Sequence, residues 1–235
     1  MLFVAALLGE PNYIISVIAP EKPPEFEKGE IVNLSPDNHL LRFEVGLHQR
    51  GYHRVAGVDE AGRGALAGPV VAAAVVLAEG TQIPDLTDSK KLSPSTRNRL
   101  FDQIQTSALT VGIGQASHLE IDRLNILQAT MLAMQRAVVA TNPAPDYALI
   151  DGNCLPEISM PGESIIKGDT LCHSISAASV VAKVFRDRLM CELDSRFPNY
   201  GFRQHKGYGT QKHRQAIATF GVSSCHRQTF KLEYL

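Results

Sequence analysis

Apolar and polar positions fall into regular periods only from about Tyr52 onward. Residues 55–58 form a short apolar run leading into Asp59, and residues 70–77 form a continuous Val-rich run, the pattern of a buried strand. Between them Gly62, Gly64, Gly68 and Pro69 predict a hairpin-like return with unusual backbone angles. Ser93-Pro94 is a helix start, with a capping Ser and Pro at the first helical position, and predicts a helix to about Ser107. A short strand is predicted over 110–114. Ser117-His118-Leu119-Glu120 then matches a capping box. Leu127, Met131, Met134 and Val138 recur at helical spacing, predicting a helix to about Ala140. Strands follow over 147–150, ending at Asp151, and over 164–166, ending near Lys167-Gly168-Asp169. A long helix is predicted over 174–197, turns after Pro198, and a short helix near 212–220. This order predicts a layered α/β domain.

Composition refines the boundaries. The chain has 235 residues, 44% of them apolar and 20% charged, which describes a globular protein. A domain of this size buries about 70% of its unfolded surface and needs no disulfide or metal to fold. Residues 1–50 differ: Pro20, Pro23 and Pro24 sit among Glu21, Lys22, Glu25, Glu27, Lys28 and Glu30, which predicts a loosely ordered extension ahead of a domain over 51–235. The apolar stretch 1–8 lacks a basic flank and runs into Gly9-Glu10, so it is not read as a signal peptide. No apolar run approaches the ~20 residues of a membrane span. Cys154, Cys172, Cys191 and Cys225 lack the short spacing of a zinc site and read as reduced thiols of a cytoplasmic protein.

The net charge of −1 argues against a protein that merely coats nucleic acid. Its distribution says more. From Ser195 to Leu232 there is no Asp or Glu, while Arg196, Arg203, Lys206, Lys212, Arg214, Arg227 and Lys231 fall in that stretch, a footprint for a polyanion. Against this, three predicted strands end at acids: Asp59 with Glu60, Asp151, and Asp169. If those strands are neighbours, four carboxylates converge at one edge of the sheet, where α/β sites form. Such a cluster repels itself unless cations hold it. A nest of oxygen ligands without His or Cys selects Mg²⁺ or Mn²⁺ over zinc, and two such ions suit phosphodiester hydrolysis.

The blocks around these acids resemble a known family. Val58-Asp59-Glu60-Ala61-Gly62-Arg63-Gly64 is similar to the signature of the type 2 ribonucleases H. Asp88-Ser89-Lys90-Lys91-Leu92, Leu124-Asn125-Ile126-Leu127, Asp151-Gly152-Asn153, Lys167-Gly168-Asp169, the run 175–187 and His205-Lys206-Gly207-Tyr208-Gly209-Thr210 resemble ribonuclease HII blocks in the family's order. The resemblance covers about 52–231. It implies a ribonuclease H-like mixed five-stranded sheet, its first three strands antiparallel, flanked by helices and followed by a C-terminal helical part. It implies Asp59, Glu60, Asp151 and Asp169 as catalytic and metal-binding residues, with two Mn²⁺ or Mg²⁺ ions expected with substrate. The implied reaction is hydrolysis of RNA in RNA–DNA hybrids, and cutting 5′ of a single ribonucleotide in duplex DNA to leave 3′-hydroxyl and 5′-phosphate ends. A monomer acting on nucleic acid, away from any membrane, is expected.

Further roles follow from the same resemblance. Gly62, Arg63 and Gly64 are expected to sense the ribose 2′-hydroxyl, which only RNA carries. Tyr208 is expected to pack on the next sugar, and Lys90, Lys91, Lys183 and Arg186 to contact phosphates, positioning the duplex without reading sequence. His173, near Asp169, is either a proton shuttle or structural. Successive strand residues face opposite ways, so Asp59 is expected as the shared ligand and Glu60 as a less direct one. Ribonuclease HIII, the sister family, has Lys where this chain has Arg63 and carries a larger folded platform. Resolvase or transposase cores lack the Asp-Ser-Lys-Lys and Lys-Gly-Tyr blocks. A non-catalytic nucleic-acid binder has no use for four acids that repel phosphate. A P-loop reading fails because the glycine loop lacks the Lys-Ser/Thr pair. Gln228 and Phe230 hint at a clamp-binding tail, but their stretch resembles the family's C-terminal block.

Overall fold

A computed structural model describes residues 14–17, 39–87 and 89–232. The apolar stretch 1–8, the Pro- and Glu-rich segment 20–30 and Asp88 lie outside the described residues. Six strands are described: β1 Ile14–Val17, β2 Val55–Ala61, β3 Val70–Leu77, β4 Ala108–Ala116, β5 Tyr147–Asp151 and β6 Gly162–Ile165. Among the described residues they form one sheet in the order β1-β4-β3-β2-β5-β6. β2, β3 and β4 pair antiparallel, while β5 lies parallel to β2 and β6 parallel to β5. This is the expected mixed five-stranded sheet, with Ile14–Val17 added antiparallel to the outer edge of β4.

Both faces of the sheet are covered, and β3 shows why its sequence has no polar face. Val71, Ala73, Val75 and Leu77 enter a core with α2 (Pro94–Ser107) and α5 (His173–Arg196), while Val70, Ala72 and Ala74 enter a second core with α4 (Ile126–Val139). Such a strand reads as a continuous apolar run. α5 lies against β2 at Gly57, where any Cβ would overlap the Ser174–Ile175 backbone. That contact sets how closely the helix approaches the strand that carries Asp59. Two short helices, α6 (Phe202–His205) and α7 (Gln211–Phe220), pack on the far end of α5 through Phe202, Ile217, Met190 and Leu193.

The structure departs from the expected elements in two places. The single helix expected to run to Ala140 is divided into α3 (His118–Leu124) and α4. Asn125, at φ 74°, ends the first, and its side chain accepts the Gln128 N–H to cap the second. Asn tolerates the left-handed region and is a strong N-cap, so one residue serves both helices. Within 1–50, expected to be loose, Ile14–Val17 is a strand and α1 (Arg42–Gln49) is a helix. α1 buries Leu47 against Val55, Tyr147 and Ile175, and its Glu44 carboxylate accepts the Ser174 N–H and hydroxyl at the start of α5. A buried leucine and an acid aimed at a helix N-terminus outweigh the polar composition around them.

Candidate active site

Strand register brings the acids together. Parallel pairing of β2 and β5 runs to Val58↔Ile150, so the next residue on each strand is Asp59 and Asp151. There the ladder opens, although β2 continues against β3 through Glu60↔Ala72 and Ala61↔Val71. Asp59 is therefore inside a strand rather than at its end, while Asp151 closes β5 as expected. Asp59, Glu60 and Asp151 each offer a carboxylate oxygen within 4.8 Å of the others. The opposite facing of adjacent strand residues does not keep Glu60 away. With β5 gone from that side of β2, its longer side chain has room to reach the same point. Asp169 lies four residues past β6, in the turn Gly168–Thr170, and its N–H donates to Asp151 Oδ1 at 3.3 Å. It adjoins the trio without belonging to the tight group.

The cluster is short of positive charge. Burial pushes the Asp59 carboxyl well above its ordinary range, and the charges of Glu60 and Asp151 push the same way. Burial also raises Glu60, opposed by Arg63, and raises Asp151, with Asp169 adding to it. Ser179 donates to Asp59 and is itself paired with Ser89 at 2.8 Å. Arg63 stands 4.0 Å from Glu60, and Lys90 stands 3.7 Å from Asp169. Hard oxygen donors packed this closely, with no imidazole or thiol in the group, fit a Mg²⁺- or Mn²⁺-type cation.

A cleft of about 510 Å³ opens over the acids, and Gly62, Arg63, Gly64 and Tyr208 line it beside Lys90 and Lys183. The glycine loop is held from inside by two buried arginines. Arg227 donates to the carbonyls of Gly62 (2.7 Å), Arg63 (2.9 Å) and Gly68 (3.0 Å). Arg186 donates to those of Pro69 (3.0 Å), Lys206 (2.9 Å) and Ala67 (3.2 Å). Gly62 has φ 93°, and a Cβ there would overlap the Arg186 side chain, so both backbone angle and space require glycine.

Residues 56–233 match the family model described as Ribonuclease HII. The chain belongs to the ribonuclease HII family. It is a ribonuclease H, and the activity of its family is cleavage of the RNA strand of RNA–DNA hybrids. A relative from Geotalea uraniireducens, named Ribonuclease HII, is 54% identical over 192 residues, covering 82% of this chain and 89% of its own. Among solved structures, the PCNA:RNase HII complex from Archaeoglobus fulgidus matches with a TM-score of 0.65 at 25% identity, over 77% of this chain and 97% of that one. Bst-RNase HIII in complex with Mn²⁺ shares the fold, with a TM-score of 0.59 at 19% identity over 79% and 69% of the two chains.

Of the expected contacts of this ribonuclease HII, Lys90 and Lys183 reach the cleft, whereas Lys91 is exposed outside its lining. Lys183 is steadied by Asp187 at 2.6 Å, and Asp187 in turn by Arg97 at 3.3 Å. Arg186 corrects the sequence reading. It is fully buried, its guanidinium is occupied by three carbonyls, and it has no face left for phosphate. Helical spacing from Lys183 gave the right face of α5 but not what packs on it. Tyr208 is half-buried, with the Arg186 guanidinium 5.4 Å from its ring. His173 points away from the acids. Its Nε2 accepts the Ile83 N–H, and burial lowers its pKa to about 4, which suits a structural acceptor. Gln228 and Thr229 donate their N–H groups to Asp122, and Phe230 packs on the core, so this stretch is tied into the domain. Sequence reasoning missed Arg227 as the loop's support, Ser179 as the donor to Asp59, and Ser89 as the partner of Ser179. The two serines lie inside family-like blocks, the one signal that marked them.

Proposed function

We propose that this ribonuclease HII cuts on the 5′ side of a ribonucleotide embedded in duplex DNA, as well as within RNA–DNA hybrids, leaving 3′-hydroxyl and 5′-phosphate ends. The observation that carries this reading is the convergence of Asp59, Glu60 and Asp151 within 4.8 Å beneath a cleft rimmed by Gly62, Arg63 and Gly64. Asp59, Glu60, Asp151 and Asp169 would hold two Mg²⁺ or Mn²⁺ ions. The choice of cation rests on the oxygen donor set, since Bst-RNase HIII lends only its fold. When bound, such ions supply activation of water and stabilisation of the departing oxygen.

The protein's own residues orient the substrate. Backbone groups of the glycine loop, free of side chains at Gly62 and Gly64, approach the ribose 2′-hydroxyl, and the two buried arginines keep that loop in one conformation. The Tyr208 ring faces the cleft to pack on the following sugar, where a 2′-hydroxyl would crowd it, selecting an RNA-to-DNA junction. Lys90, Lys91 and Lys183 contact phosphates and fix the duplex over the acids. We place the enzyme in the cytoplasm as a monomer. All four cysteines are free, and no helix among the described residues is long and apolar enough to cross a membrane.

The test is a duplex DNA carrying one ribonucleotide, incubated with Mg²⁺ or Mn²⁺. The expected product is a single nick 5′ of the ribonucleotide. Folded protein that leaves this substrate whole in both metals overturns the reading, and cleavage of an all-DNA control overturns the sensing role of the glycine loop.

A further inference from the structure

A second group of ligating side chains lies at the other end of the β2–β3 hairpin. His48, His53 and Glu79 each offer one ligand atom, and these atoms all lie within 4.8 Å of one another. They come from three segments that only the fold unites: α1, the lead into β2, and the turn after β3. The register Ala56↔Val76 brings the last two together, and six residues of extended chain set His53 about 20 Å from Asp59.

The His48 ring is oriented, and the backbones that carry the other two ligands are fixed. His48 Nδ1 lies 2.8 Å from the Tyr52 carbonyl oxygen, to which it donates its N–H, so the lone pair is left on Nε2. That is how a metal-binding imidazole is usually oriented. The backbone of His53 is pinned, its N–H donating to Asp146 Oδ2 at 3.0 Å while the Arg54 N–H donates to Oδ1 at 2.9 Å. Glu79 sits in a tight turn closed by the Thr81 N–H on the Ala78 carbonyl at 3.0 Å. Beside them is a cavity of about 540 Å³ lined by His48, Glu79 and Glu44. Glu44 is one helical turn before His48, and its Oε2 is buried with no hydrogen-bond partner. This buried, unsatisfied carboxylate oxygen adds negative potential next to the His48 ring, which favours a cation there.

We propose that His48, His53 and Glu79 bind a borderline divalent cation such as Zn²⁺, Ni²⁺ or Co²⁺, clamping α1 to the pole of the sheet opposite the carboxylates. Two imidazoles and one carboxylate select these ions over Mg²⁺, so the two poles of the molecule have different metal preferences. A tetrahedral ion needs ligand atoms about 3.4 Å apart. His53 and Glu79 are exposed and have room to close the difference by rotation. The inference does not depend on the cleavage reading.

The experiment is calorimetric titration of the full chain with Zn²⁺, alongside Asp59→Asn, His53→Ala and the double variant His53→Ala/Glu79→Gln. One zinc per chain is expected to bind wild type and Asp59→Asn alike. Affinity should fall at least 10-fold in His53→Ala and vanish in the double variant. These substitutions alter exposed side chains, and Mg²⁺-supported hybrid cleavage should stay at the wild-type rate. Co²⁺ supplies a second readout: the intense visible bands of a nitrogen-ligated, low-coordinate ion should appear with wild type and be lost in the double variant. Zinc binding that survives the double variant but not Asp59→Asn overturns the proposal, as does a wild-type chain that binds no zinc.

Discussion

Asp59 and Glu60 are neighbours in sequence but unequal in setting. Asp59 is buried, receives the Ser179 hydroxyl and its own neighbour's N–H, and faces Asp151 across the open end of a ladder. Glu60 reaches the same point from a strand position that faces the other way, and Arg63 draws on it. Asp59→Asn is therefore expected to lower cleavage more than roughly 100-fold, beyond the loss typical of a residue that only supports a metal ligand. Glu60→Gln should lose less, and part of its loss should be recovered by raising Mn²⁺. Equal inactivity of the two variants at every metal concentration, in single-turnover assays, would refute this ranking. His173 makes a prediction of a different kind. Its ring is neutral in the folded chain down to about pH 4, because burial disfavours the cation, whereas its ordinary value is 6.5. Below about pH 6.5 the unfolded chain binds the extra proton, so stability is full above that pH and falls as the pH drops toward 4. The loss is on the order of 3 kcal/mol at the lower end. Raised carboxyls such as Asp59 act in the opposite sense over acid pH, so the comparison should be made against His173→Gln, which retains an acceptor for Ile83. Urea melts at pH 7 and pH 4.5 should show wild type losing more stability than the variant.

At the scale of elements, the sheet was legible because its signals are local. β3 advertises burial on both faces, Ser93-Pro94 and Ser117 with Glu120 announce their helices, and β5 ends on the acid expected of it. What escaped sequence reading depends on distant partners. Arg186 lies on the expected helix and face, yet its role is decided by carbonyls 117 and 119 residues away. Arg227 lies in a basic stretch that reads as a surface for polyanions, but it is buried beneath the glycine loop. α1 was hidden because a single buried Leu47 and the Glu44 contact to α5 are too few to stand out from a polar segment. The loop gives the test at this scale. Arg227→Ala removes the donor to the Arg63 and Gly68 carbonyls, leaves Gly62 with only the Ala65 N–H, and should cost roughly 3 kcal/mol in denaturant melts. Arg227→Lys should recover little of it, since a point ammonium cannot replace a planar fork. An unchanged midpoint in Arg227→Ala would show that the loop holds its shape alone.

For the molecule as a whole, the acids and the glycine loop are held by different parts of the chain. Asp59 meets Asp151 through sheet pairing, whereas Gly62 and Arg63 receive their donors from Arg227, 165 and 164 positions later in the chain. The brace therefore exists only where the stretch that carries Arg227 is docked beneath the loop. The pairing that sets Asp59 beside Asp151 does not involve Arg227, so losing that side chain removes the brace and leaves the strand register as it is. On the reading proposed above, Arg63 at the loop and Lys90 beside Asp169 would supply charge to draw a duplex in, and the brace would bear on which duplex is accepted. On that reading, selectivity is anchored from outside the loop, by a buried arginine 165 positions along the chain from the glycine it holds.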